Sequence, residues 1–177
     1  MAKTSSIKRN AFSPLVESIR ILVVDDFEPF RMFVLSVFSK TPEFQIICEA
    51  SDGLEAVQKA EELKPDLILL DIGLPKLNGI QAARQIRKLA PSSRILFLSQ
   101  ESSADVVQEA LDLGAMGYVV KAYAGSELLA AVESVFQGRR FVSVGLSGSR
   151  LINSTNSQPL DCLDNKDVAA PIAPLVL

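Results

Sequence analysis

Two hydrophobic rhythms alternate between residues 20 and 140, and this alternation limits the possible folds more than any other feature of the chain. Short apolar runs rich in β-branched and aromatic residues occur at ILVV (21–24), FQIICEA (44–50), LILL (67–70), RILFLS (94–99) and GYVVK (117–121). Their length and composition predict strands. Between them, apolar positions recur at helical spacing. Phe30, Phe33, Val34, Val37 and Phe38 mark a first helix, and Leu54, Val57, Ala60, Glu61 and Leu63 a weaker second. Ile80, Ala83, Ile86 and Ala90 mark a third, and Val106, Val107, Ala110, Leu111 and Leu113 a fourth. Leu128, Leu129, Val132, Val135 and Phe136 mark a fifth. End signals agree: Pro29 suits a first helical turn, Asp52-x-x-Glu55 reads as a capping box, and Ser126 caps the last helix. Gly114 and Gly138 stand as C-terminal stops after the fourth and fifth helices.

Repeated β–α units of this size predict an α/β three-layer sandwich, a parallel sheet covered by helices on both faces. The continuous apolar runs 21–24 and 67–70 should be central, because both of their faces must be buried. A flavodoxin-like (βα)5 sandwich has strand order 2-1-3-4-5, an order taken from folds of this kind and not read from the residues. It makes the first and third strands neighbours where the winding reverses, the place where such sheets bind ligands. Residues 1–18, broken by Pro14, read as a flexible lead-in, and 19–140 as the domain. Residues 141–177, rich in Ser, Asn and Pro, read as a disordered tail.

Composition mainly excludes. A net charge of −3 and a pI near 5.1 argue against binding to nucleic acid or anionic membranes. The chain has no histidine, which removes imidazole acid–base chemistry, most zinc sites and any phosphohistidine relay on this chain. Cys48 and Cys162 lie far apart in sequence and suit a reducing compartment. No apolar run approaches the roughly 20 residues of a membrane span, and the N-terminus lacks a signal-peptide core, so a cytoplasmic location is expected.

Laid over this fold, the polar residues converge. Asp25 and Asp26 end the first strand, Asp71 the third, Ser99 the fourth and Lys121 the fifth, all at one edge of the sheet. Taken singly, each is ordinary: a solvated strand end, a loop-capping aspartate, a surface lysine, a strand-end hydroxyl. Taken together, three carboxylates in one cleft require a cation, and an all-oxygen donor set favours Mg²⁺. An opposing lysine and hydroxyl then outline a pocket for a dianionic phosphoryl group, the arrangement that phosphoryl transfer to a carboxylate needs.

IRILVVDD, LILLDIGLPKLNGIQAARQIR, ILFLS and GAMGYVVKA resemble the receiver domain of bacterial two-component response regulators. The resemblance covers about residues 19 to 140. The segment GLPKLNGIQAARQIR looks most like receivers usually joined to a helix-turn-helix DNA-binding domain. It implies a phosphoacceptor role for Asp71, with a sensor histidine kinase as phosphodonor and partner. Asp26, Asp71 and the backbone carbonyl of Gly73 would bind Mg²⁺ directly, and Asp25 through water. Lys121 would contact the phosphoryl oxygens, Ser99 would turn its hydroxyl toward the phosphate, and Tyr118 would swing inward. A kinase-docking surface on the first helix, including Met32 and Leu35, is a further implication. So are a downstream protein partner and a homodimer through the fourth helix, fifth strand and fifth helix.

Some residues depart from the pattern. Ala122 follows Lys121 where proline is common, and Gln100 and Glu101 follow the switch serine. In the family that the chain resembles, the positions of Gly73 and Glu101 influence phosphate lifetime, and these two residues leave that lifetime open. No helix-turn-helix pattern follows residue 140, so the reading is of a stand-alone or truncated receiver. It acts as a signalling switch and not as an enzyme on other substrates. Two alternatives stand beside it: an Mg²⁺-dependent aspartyl-phosphate phosphohydrolase, and a non-phosphorylated binding scaffold. Gly73 occupies the place where the hydrolase would carry a second acid. A nucleotide or flavin module is disfavoured because no phosphate-cradling glycine loop follows any strand.

Overall fold

The computed structural model describes residues 18–146. The elements run β1 (Ile19–Val24), α1 (Glu28–Phe38), β2 (Phe44–Ala50), α2 (Gly53–Leu63), β3 (Leu67–Leu70) and α3 (Gly79–Leu89). They continue through β4 (Arg94–Ser99), α4 (Ala104–Asp112), β5 (Gly117–Val120), α5 (Ala124–Phe136) and β6 (Phe141–Val142). Short 3-10 turns lie at Lys121–Tyr123 and Val144–Leu146. The sheet is parallel throughout, with strand order β2-β1-β3-β4-β5-β6. The flavodoxin-like order 2-1-3-4-5 is present, extended by one strand.

Alternate residues of the central strands feed opposite faces. Leu22, Val24, Ile68 and Leu70 join a core with α2, α3 and α4, whereas Ile21, Val23, Leu67 and Leu69 join a second core with α1 and α5. All eight are at most 1% exposed, which is why these strands read as unbroken apolar runs.

Most helix signals hold. Gly114 and Gly138 sit at positive φ, and both helix ends close with paired backbone bonds: Gly114 N to Leu111 O with Ala115 N to Ala110 O, and Gly138 N to Val135 O with Arg139 N to Ser134 O. Asp52 caps α2 through Glu55 N at 2.9 Å. The reciprocal bond differs from a regular capping box, because Glu55 accepts from Ser51 N at 2.9 Å and not from the cap residue.

Three expectations need correction. Leu54 is 53% exposed, and the buried stripe of α2 is Gly53, Ala56, Val57 and Ala60. Ser126 does not cap α5: the 3-10 turn at Lys121–Tyr123 runs directly into the helix, and the Ser126 hydroxyl donates back to Tyr123 O. The domain does not stop at residue 140, because Phe141–Val142 pair with β5 and Leu146 is buried against the α4-side core. The expected lead-in over 1–17, Cys162 and the tail beyond 146 lie outside the described residues. Cys48 is a half-buried free thiol packed against that same core. Among the described residues, no helix is long and apolar enough to cross a membrane.

Candidate functional site

The sheet ladder itself positions the acidic residues. Asp25 N donates to Ala50 O at 3.1 Å and Asp71 N donates to Val24 O at 3.0 Å, so each aspartate is the last residue locked to a neighbouring strand. Beyond Asp71 the loop is tied down on both sides. Gly79 N donates to Ile72 O, Gly53 N donates to Pro75 O, and Lys76, in the left-handed region at φ 62, forms an ion pair with Asp52.

At this edge the predicted residues meet. One ligand atom from each of Asp25, Asp26 and Asp71 lies within 4.8 Å of the others. Lys121 Nζ donates to Asp71 Oδ2 at 2.7 Å and lies 2.7 Å from Asp25 Oδ2. The ammonium thus bridges the two buried carboxylates. Asp71 Oδ1 accepts from Ile72 N at 2.7 Å. Asp26, Asp71, Gly73, Ser99, Glu101 and Lys121 line a cleft of ≈ 370 Å³. Asp25 is buried, at 1% exposure.

The charges are unbalanced, with three carboxylates facing one ammonium. Burial raises the Asp25 pKa, and Lys121 only partly opposes that rise. Burial disfavours the Lys121 ammonium, yet the Asp25 and Asp71 carboxylates more than offset this and hold its pKa above the ordinary lysine range. The excess negative charge and the all-oxygen donor set together fit a hard divalent cation such as Mg²⁺.

Ser99, Glu101 and Tyr118 form one network at the cleft rim. Ser99 Oγ accepts from Glu101 N at 3.2 Å, and Tyr118 Oη donates to Glu101 O at 2.8 Å. The Glu101 carboxylate accepts from Ser102 N at 3.0 Å and Ser103 N at 2.9 Å, so it caps the approach to α4. Tyr118 is fully buried and stacks at a tilt on Phe97, with its ring already inward.

Burial pushes the Tyr118 phenol up from 10.0 to about 12; the Ser99 hydroxyl opposes this and the charges of Glu101 and Asp71 add to it. Because the folded chain holds this proton more tightly, the unfolded chain loses it first. The contribution of Tyr118 to stability is therefore unchanged below about pH 10 and falls as pH rises through the window from 10.0 to about 12. Urea unfolding across that window should show the decline in the wild type and a flatter profile in Tyr118→Phe.

Sequence reasoning missed two supports. Arg31 donates to Asp25 O at 2.8 Å and to Glu49 Oε2 at 3.0 Å, fixing the turn that carries both N-terminal aspartates. The Phe30 ring lies 4.8 Å from Lys121 Nζ. A lone arginine set into an aromatic helical stripe was the available signal for the first of these.

Comparison with known proteins agrees with the geometry. The family model "Response regulator receiver domain" matches residues 21–133. The transcriptional regulatory protein DegU of Brevibacillus brevis is 36% identical over 70% of this chain, and the chain spans about half of that relative, 52%. The chemotaxis protein CheY of Thermotoga maritima is 36% identical over 66% of this chain and 96% of its own. A crystal structure of a two-component response regulator of the LuxR family from Aurantimonas sp. matches with TM-score 0.70 and 32% identity, over 74% of this chain and 94% of that one. By sequence, fold and the arrangement of its strand-end residues, this chain belongs to the response regulator receiver domain family.

Proposed function

We propose that the chain accepts a phosphoryl group on Asp71 from a sensor histidine kinase and uses the resulting charge to switch a protein-interaction surface. The observation that carries this reading is the cluster around Asp71: a carboxylate at a cleft wall, two further carboxylates within 4.8 Å and an ammonium 2.7 Å away. An Asp71 carboxylate oxygen attacks phosphorus, and the bond from phosphorus to the donor's imidazole nitrogen breaks with its electron pair leaving on that nitrogen. The product is an aspartyl phosphate. No proton needs to be removed from the nucleophile, which suits a chain without histidine.

Asp26, Asp71 and the Gly73 carbonyl would hold Mg²⁺, with Asp25 acting through water. When bound, the ion supplies charge neutralisation for the phosphoryl oxygens. Lys121 supplies the fixed positive charge on the opposite side. Ser99 turns its hydroxyl to the phosphate once the carboxylate is modified, at the cost of its bond from Glu101 N. Phosphorylation replaces the charge of about −1 on the Asp71 carboxylate with about −1.5 to −2, enough to bias a two-state rim. Because Glu101 already caps the α4 approach, its carboxylate is not a free water-directing group.

For partners, Met32 is 58% exposed on α1 and Phe27 is 60% exposed at the cleft mouth, which supports kinase docking there. A homodimer through α4, β5 and α5 would form on side chains of the two helices, since β6 covers the edge of β5.

The test is intact mass after incubation with acetyl phosphate. The wild type with Mg²⁺ should gain about 80 Da, one phosphoryl group on the Asp nucleophile. Asp71→Ala, and the wild type without divalent cation, should gain nothing. Absence of any gain in the wild type, with Mg²⁺ shown to bind, would have to be repeated with a phosphorylated kinase; failure there too rejects the proposal.

A further inference from the structure

We propose that Ser143 and Glu127 are positioning residues for the phosphoryl pocket, clamping the backbone on both sides of Lys121. The proposal rests on the phosphoacceptor reading of Asp71. It starts from Val120, the last residue of β5 and only 8% exposed. A buried backbone N–H needs an acceptor, and at the end of a strand the ladder often cannot supply one. Here the acceptor is a side chain: Val120 N donates to Ser143 Oγ at 2.9 Å.

The serine is held in turn. It is fully buried, its N–H donates to Tyr118 O at 2.9 Å, and its hydroxyl donates to Glu127 Oε2. The other Glu127 oxygen accepts from Val144 N at 3.2 Å. Donation to the carboxylate fixes the hydroxyl proton, which leaves an oxygen lone pair facing Val120 N–H.

This network straddles Lys121 in the chain. Val120 precedes the lysine directly, and Glu127 lies one turn into α5, the helix that the 3-10 turn Lys121–Tyr123 feeds. Ala122, within that turn, places no ring restraint of its own on the backbone. The Lys121 ammonium must stay 2.7 Å from both Asp25 and Asp71, and a long side chain holds such a position only if its root is fixed. The segment after α5 fixes it by folding back as β6.

The experiment uses the full chain and four proteins: wild type, Ser143→Ala, Ser143→Thr and Leu146→Ala. Leu146→Ala weakens the packing of the same segment but keeps the hydroxyl, so it separates loss of stability from loss of the anchor. The rate of acetyl phosphate uptake is measured against donor concentration at saturating Mg²⁺, together with amide exchange at Val120 without Mg²⁺. Ser143→Ala should lower the maximal rate about fivefold, the factor equivalent to one net hydrogen bond. The half-saturating donor concentration should stay unchanged, and Val120 exchange should quicken. Ser143→Thr should restore both, and Leu146→Ala should lower the urea midpoint without slowing uptake. The positioning role is overturned if Ser143→Ala keeps the wild-type rate, if Ser143→Thr is as slow as the alanine variant, or if Leu146→Ala slows uptake equally. A wild type that takes up no phosphoryl group from any donor overturns the phosphoacceptor reading and this role with it.

Discussion

Lys121→Met is expected to slow phosphoryl uptake by about a hundredfold to a thousandfold, the cost of removing one preorganised charge from a site where negative charge develops. Methionine keeps much of the length of the lysine stem and so isolates the ammonium. The substitution should also destabilise the metal-free fold. Side chains of Lys121, Asp25 and Asp71 are 10%, 2% and 8% exposed, so the pair is screened little by solvent. Removing one partner of a buried pair costs about 3–5 kcal/mol, because the remaining charge stays buried. Here two carboxylates would be left facing each other. Urea unfolding should therefore show a large loss without Mg²⁺ and a smaller loss with it, since a bound cation neutralises the same oxygens. An unchanged unfolding midpoint in metal-free buffer would show that the acidic cluster relaxes outward at little cost.

The central strands and the site they deliver were readable because burial on both faces leaves no alternation to misread. Leu67–Leu70 ends at Asp71, and once the strand is placed the aspartate has nowhere else to lie than the sheet edge. The division between Asp25 and Asp26 was not readable from the residues alone. It lies in the turn after β1, where Asp25 is 1% exposed and Asp26 lines the cleft. The buried face of helix α2 was misread at Leu54, which outweighs Ala56 in hydropathy yet is 53% exposed while Ala56 is fully buried. Strand β6 was missed for a different reason. Two residues are too few to show a period, and FVSV (141–144) stands among serines that resemble a linker. What Glu101 does could not be read either, since the same carboxylate could face the cleft or the start of α4, and only its bonds to Ser102 N and Ser103 N decide.

Gly79→Ala is expected to cost about 3 kcal/mol, at the upper end of overpacking penalties, and to slow phosphoryl uptake as well. On local grounds alone the sign would be opposite, because Gly79 opens α3 without a positive φ, and Gly-to-Ala at a helical position usually gains about 0.5–1 kcal/mol. The decisive fact is space. A Cβ at residue 79 would stand 1.9 Å from Asp71 O and 2.8 Å from Ile72 Cα. Both are backbone atoms, so no rotamer change relieves the contact, and the loop must shift by more than an ångström. The shifted carbonyl belongs to Asp71 itself, so the displacement reaches the proposed phosphoacceptor. Gly125→Ala supplies the comparison: its Cβ would meet only Phe33 Cζ, at 3.9 Å, inside α5. That variant should gain about 0.5 kcal/mol from helix propensity and leave uptake unchanged. Urea unfolding and acetyl phosphate uptake on the two variants would separate steric closure from propensity. If Gly79→Ala were as stable and as reactive as Gly125→Ala, the loop after Asp71 would have to be far more compliant than its bonds to Gly79 and Gly53 allow.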